Sequence, residues 1–204
     1  MNGAPKITLS AEELQLAANT EWILTKRTVI DTAVQLFGRL AELYKVHILA
    51  QRLRLPDAVI QSSPKITRGE NYQLLPYVIL DYPRCFQKNE VFAIRTLFWW
   101  GKCISITLHV SGSYAGAVRR ALQDEQLLQE LQNYYLCVND TEWEHHFAPD
   151  NYQQIAMLSN EQVQHIATNS QFIKLAVQFN LQQWNALPVL LEKELEKLVQ
   201  LAAY

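Results

Sequence analysis

Asp81, Arg95 and His109 are the side chains best suited to acid–base or electrostatic chemistry on a small anionic substrate. Each lies in a run rich in Val, Ile, Thr, Phe and Trp, at residues 77–82, 91–100 and 103–110. Such runs favour strands, and strand side chains alternate faces with period two. Whether the three residues share a face depends on the hairpin at Gly101-Lys102. A two-residue loop with Gly first suits a type II′ turn and pairs Trp100 with Cys103. That register sets Arg95 beside Leu108, away from His109. A three-residue loop pairs Trp100 with Ile104 and Arg95 with His109, leaving one apolar and one polar face. A slip of one residue turns every side chain over. In the second register Asp81, Arg95 and His109 form a polar row with Arg84 nearby. The plainer account of the row is a half-solvated face with an Asp–Arg cross-strand pair.

Ser111, Gly112 and Ser113 follow the third strand run and precede a helical pattern. A helix N-terminus offers unpaired N–H groups and a partial positive charge, which suits an anion. The spacing matches neither a P-loop nor a dinucleotide fingerprint. The same residues also suit a turn, with Ser113 as a simple N-cap. Glu142, Glu144, His145, His146 and Asp150 have metal-ligand chemistry, but adjacent histidines point apart on a helix or strand, and no HExxH is present. No metal and no cofactor is expected. Trp99 and Trp100, with Tyr72, Tyr77, Tyr82 and Phe86 upstream, suit a pocket wall, a partner groove or core packing. Trp99 and Trp100 must face opposite sides of a continuing strand.

The elements that would position these groups are readable from periodicity. Ser10 with Glu13 forms a capping box before a helix at about 11–24. Val29, Ala33, Leu36, Leu40, Leu43 and His47 recur at three and four along a helix of residues 28–54, ended by Pro56. Leu36, Leu40 and Leu43 are its expected buried stripe. Residues 55–76 read as a long connection. After the three strands, residues 114–132 read as one helix and residues 134–138 as a fourth strand. Residues 139–158 read as irregular. Ser159 with Gln162 gives another capping box, followed by helices at 160–167, 170–180 and 185–203, the last with a stripe from Leu187 to Leu201.

Helices, then strands, then helices describe an α+β fold. The expectation is one domain over 1–204, with an antiparallel sheet of about four strands (residues 77–138) packed against long N- and C-terminal helices. A length of 204 residues suits a single core. With 49% hydrophobic residues and net charge −2, the chain is neither disordered nor globally basic. Charge is divided along it: residues 45–120 hold eleven basic and four acidic side chains, residues 121–204 three and eleven. That division suits either a basic face for an anion or partner, or two halves that neutralise each other when packed.

Cys85, Cys103 and Cys137 have no CxxC pairing, and the N-terminus lacks the pattern of a signal peptide. Both point to a reduced, cytoplasmic protein without disulfides, and no run is apolar for long enough to span a membrane. Nucleic acid is disfavoured, since no binding motif or dense basic cluster is present. The function expected is a ligand-binding or interaction module using Arg84, Trp99, Ser111, Gly112 and Ser113 within residues 70–114. The alternative is an enzyme on a small anionic substrate using Asp81, Arg95 and His109. A protein partner and self-association stay open.

Overall fold

The computed structural model describes residues 7–203. One antiparallel sheet of seven strands organises the chain: β1 (Lys65–Tyr72), β2 (Leu75–Gln87), β3 (Glu90–Trp99), β4 (Cys103–Ser111), β5 (Tyr135–Cys137), β6 (Tyr152–Gln154) and β7 (Phe172–Phe179). They lie in the order β1-β2-β3-β4-β7-β5-β6. The helices are α1 (Ala11–Ala18), α2 (Thr20–Ala50), α3 (Asp57–Ile60), α4 (Ala115–Ala121), α5 (Glu125–Glu130), α6 (Asn160–Asn169) and α7 (Leu187–Ala202).

Period-two alternation gives the sheet its apolar face. Val78 and Leu80, Phe92, Ile94 and Phe98, Ile104, Ile106 and Leu108, and Ile173 and Leu175 form one buried cluster with the helices. Phe37, Leu40, Tyr44 and Ile48 enter it from α2, and Leu191, Leu195 and Leu198 from α7. Polar groups in this layer are satisfied internally: the Tyr44 hydroxyl and Thr96 Oγ1 lie 3.0 Å apart, and the Tyr134 hydroxyl donates to Glu194.

The expected α+β class and antiparallel sheet are present, but the sheet has seven strands and not about four. β1 lies in the expected connection. It is a largely polar edge strand, and an edge needs little apolar alternation. β7 replaces the helix expected at 170–180. A short apolar run does not separate helix from strand by period alone, and β7 is held between β4 and β5 with little exposed. The helix expected at 114–132 is divided into α4 and α5, because the Asp124 carboxylate accepts from the N–H groups of Gln126 and Leu127 and starts a new helix.

Both capping boxes form as read, at Ser10/Glu13 and Ser159/Gln162. In α2, Leu40 is fully buried and Leu36 is packed against the core, but Leu43 is 37% exposed. The inward stripe runs through Phe37, Leu40, Ala41, Tyr44 and Ile48, which turns Leu43 outward. The β3–β4 hairpin follows neither expected register. Trp99 pairs with Cys103 across a three-residue loop, Trp100-Gly101-Lys102, with Gly101 in the left-handed region at φ 68°.

Candidate functional site

The observed pairing still puts Asp81, Arg95 and His109 on one face, the face away from the helices. Asp81 pairs with Arg95, Arg95 with Thr107, and Thr107 with Ala176. In the next row Ala93 pairs with His109 and His109 with Lys174. All these positions have the same parity along their strands, so they share the face.

A strap of residues 139–151 covers this row. It connects β5 to β6 at one side of the sheet, yet reaches Tyr72 at the end of β1 on the other. The Tyr72 hydroxyl accepts the backbone N–H groups of His145 (2.8 Å) and His146 (3.1 Å) and donates to Glu144 Oε2 (3.1 Å). Lys174, only 1% exposed, donates to the carbonyls of Glu142 (3.0 Å) and Glu144 (2.5 Å). Its Nζ also lies 5.2 Å from the centroid of the Tyr152 ring, which stacks on Phe147.

Arg95 grips Asp81 through two bonds, Nε to Oδ1 at 2.7 Å and Nη2 to Oδ2 at 2.9 Å. Its Nη1 lies 2.7 Å from Nε2 of His145. A guanidinium can only donate, so His145 accepts at Nε2 and carries its proton on Nδ1. Burial, followed by the charges of Arg95 and Lys174, pushes the His145 pKa down to about 2. Burial and the same two cations push that of His109 down to about 3. Neutral His109 therefore donates from Nε2 to Glu142 Oε2 at 2.9 Å. Burial also lowers Lys174 to about 8. Two neutral imidazoles beside two cations keep like charge from accumulating under the strap.

Beyond His109 this face opens into a cleft of about 850 Å³. Its floor includes Val91, Ser111 and Phe172, and its sides are the β2–β3 turn around Lys88 and the strap from Asp140 to Trp143. The Phe86 and Trp143 rings sit 6.4 Å apart on one wall and are 41% and 55% exposed. Trp143 also meets the edge of His109 at 6.1 Å. Glu142 thus belongs to both the cleft and the covered network.

The expected site residues divide among these surroundings. Asp81 and Arg95 come together, while His109 shares their face but bonds Glu142. Ser111 and Gly112 line the cleft. The Ser111 hydroxyl accepts the Val91 N–H at 2.9 Å, so it ties β4 to β3. Gly112 has φ 58°, and a Cβ there would stand 2.5 Å from the Asn89 carbonyl oxygen. Ser113 is exposed in a short 3-10 turn and caps nothing, since neither that turn nor α4 has a side-chain cap. Arg84 pairs with Ala93 on the same face but does not bond the row, its Nε donating instead to the Ser63 carbonyl at 3.0 Å. Trp99 is buried and gives its indole N–H to the Tyr72 carbonyl at 3.2 Å. Trp100 is half-buried against Phe98, so neither tryptophan stands exposed.

Tyr72, Lys174 and the strap complete the site, and sequence reasoning did not join them to it. Lys174 was hidden inside an expected helix, and only its central place in an apolar run marked it. The acidic and histidine side chains at 142–146, read as weak metal ligands, instead meet His109, Tyr72 and Arg95. Among the described residues no three His, Cys, Asp or Glu side chains gather as a metal site. No helix of the described residues is long and apolar enough to cross a membrane.

The arrangement defines a two-layer α+β protein with a strapped polar sheet face and an open cleft at its end. Comparison with protein-family models, with curated proteins and with solved structures finds no match.

Proposed function

We propose that this protein is a ligand-binding module whose site is the cleft between the Phe86–Trp143 wall and the His109–Glu142 pair. The observation that carries this reading is two water-exposed aromatic rings at a hollow of about 850 Å³ with a fixed hydrogen-bonding pair at its inner end. Ligand sites combine such apolar walls with a few oriented polar groups. A small molecule with a flat apolar part to lie on Trp143 and a polar end to reach Glu142 fits this chemistry. Asp140 and Glu142 line the cleft with a single lysine, Lys88, which disfavours the small anion suggested by the charge of the strand-rich segment. Three free thiols at Cys85, Cys103 and Cys137 support a reducing compartment, and we place the protein in the cytoplasm. An enzyme using Asp81, Arg95 and His109 is the weaker reading. The first two residues occupy each other's hydrogen-bonding groups beneath the strap.

The test is a thermal-shift screen of small aromatic and heteroaromatic compounds, repeated on Trp143→Ala. A specific ligand at a hundredfold excess over Kd stabilises the fold by about 2.7 kcal/mol. The expected result is hits that stabilise the parent protein but not the variant, with NMR shifts at the amides of residues 87–91 and 140–143. Hits indifferent to Trp143→Ala, or a screen with none, would overturn the assignment.

A further inference from the structure

The charged side chains that line the cleft are Lys88, Asp140 and Glu142, so two carboxylates face one ammonium and leave an excess of negative charge. His109 adds nothing to that sum, because burial keeps its imidazole neutral. Lys174 lies behind Glu142, but it is 1% exposed and its ammonium is committed to the Glu142 and Glu144 carbonyls on the covered side of the strap. Lys88 and Asp140 are exposed, and neither has an ion pair among the described residues. Glu142 is the carboxylate held in place. Its side chain is 28% exposed, and its Oε2 accepts from His109 Nε2 at 2.9 Å. Its Oε1 has no hydrogen-bond partner among the described residues. An oriented acceptor on a partly desolvated carboxylate is thus left for a ligand to fill.

The rings select the same charge. The face of an aromatic ring is negative and attracts a cation, and tryptophan does so best. Three lysines of this chain lie over rings, Lys102 on Trp99, Lys174 on Tyr152 and Lys197 on Tyr134, and none of these three is over Phe86 or Trp143. The Phe86 and Trp143 planes are inclined by 41°, so they do not close on each other as a parallel stack. Glu142 and Trp143 are neighbours in the chain that both line the cleft, so a ring on one and a head group at the other need only a short linker. A guanidinium grips a carboxylate through both oxygens, but Oε2 already takes the His109 proton, so a single-point donor fits better than a fork. Resting on the assignment of this cleft as a ligand site, we infer that its ligand is an aryl-alkylammonium ion, with a flat ring for Trp143 and a protonated amine that donates to Glu142 Oε1.

Tryptamine, tryptophol and indoleacetate test this, because they share one ring and end in an ammonium, a hydroxyl and a carboxylate. Each is titrated calorimetrically into the full chain, and NMR locates where it binds. Tryptamine should bind at least about tenfold more tightly than tryptophol, since a charge-assisted hydrogen bond is roughly twice as strong as a neutral one. Indoleacetate should bind most weakly, and the tryptamine shifts should fall on the amides of residues 140–143. In Glu142→Gln, whose amide oxygen can still accept from His109, the preference for tryptamine over tryptophol should largely vanish. Asp140→Lys changes an exposed position on which the fold does not depend, and it should move the preference toward indoleacetate. Tryptophol binding in the cleft as tightly as tryptamine, or indoleacetate binding tightest there, would overturn the cationic class while leaving the cleft a ligand site. A tryptamine preference unmoved by both substitutions, shifts confined to other surfaces, or no binding by any of the three at ~1 mM would also overturn it. The cleft reading itself falls only on the broader aromatic screen with Trp143→Ala, so the two failures are told apart.

Discussion

Acidification to pH 5 should destabilise this protein through His109 and His145. Both imidazoles are buried under the strap, with pKa values pushed to about 3 and about 2 from an ordinary 6.5. In the unfolded chain they protonate near pH 6.5, while in the fold they stay neutral. Between these limits the unfolded state binds more protons, so stability is fully present above pH 6.5 and is lost as pH falls. At pH 5 each histidine lies about 1.5 units below its unfolded pKa, worth about 2 kcal/mol, or about 4 kcal/mol for the pair. That is a large part of the 5–15 kcal/mol that roughly spans the stability of folded domains. Urea unfolding at pH 7.5, 6.5 and 5 measures it, with the His109→Gln/His145→Gln variant as control. The parent should lose stability steadily below pH 6.5, and the variant should show a shallower slope. A parent whose unfolding free energy is flat from pH 7.5 to 5 would show that the strap does not exclude protons from these rings.

Three further outcomes follow from packing and pairing. Leu40→Ala should cost about 2–5 kcal/mol in urea unfolding, whereas Leu43→Ala should stay within about 0.5 kcal/mol, because only Leu40 faces the core. Gly112→Ala should lower the melting temperature and disturb the amides of Asn89 and Glu90, since the new Cβ would meet the Asn89 carbonyl at a backbone conformation that L side chains disfavour. Arg95→Leu should cost about 3–5 kcal/mol by leaving the Asp81 carboxylate buried without its cation, and adding Asp81→Leu should recover part of that loss. A double variant no better than Arg95→Leu would mean that the lost contact with His145, not the orphaned carboxylate, sets the cost.

The legible part of this molecule was the part governed by local period. Alternation in β2, β3 and β4 put Asp81, Arg95 and His109 on one face although neither expected hairpin register formed. The correct face follows from segregating apolar from polar residues, while turn preference at Gly101 pulled toward the other parity. Leu40 was legible from helical spacing, whereas Leu43 was one position off the stripe that meets the sheet. β1 and β7 were illegible for opposite reasons. β1 is an edge strand with too few apolar residues to show a period, and β7 is apolar enough to read as either element. Losing β7 hid Lys174. The contacts of the strap were beyond any local signal, because Tyr72 and His145 meet only after seven strands have assembled in their order.

Lys174 explains why the strap holds one position. Burial has pushed its pKa down to about 8, so keeping it charged at neutral pH works against stability. What it gains is geometric: a single ammonium holds the carbonyls of Glu142 and Glu144, the two residues that flank Trp143. Those bonds fix the backbone on both sides of the ring that walls the cleft, and Tyr72 fixes the next two peptide groups. A group whose burial is costly, yet which orients the wall of a candidate site, fits positioning better than stability. Lys174→Met keeps most of the buried stem and removes the donor. The expected result is a chain that still unfolds cooperatively, with faster amide exchange at His145 and His146 and weaker binding of any ligand that needs Trp143. Unchanged exchange at those two amides would show that Tyr72 alone anchors the strap, and the positioning role assigned to Lys174 would fall.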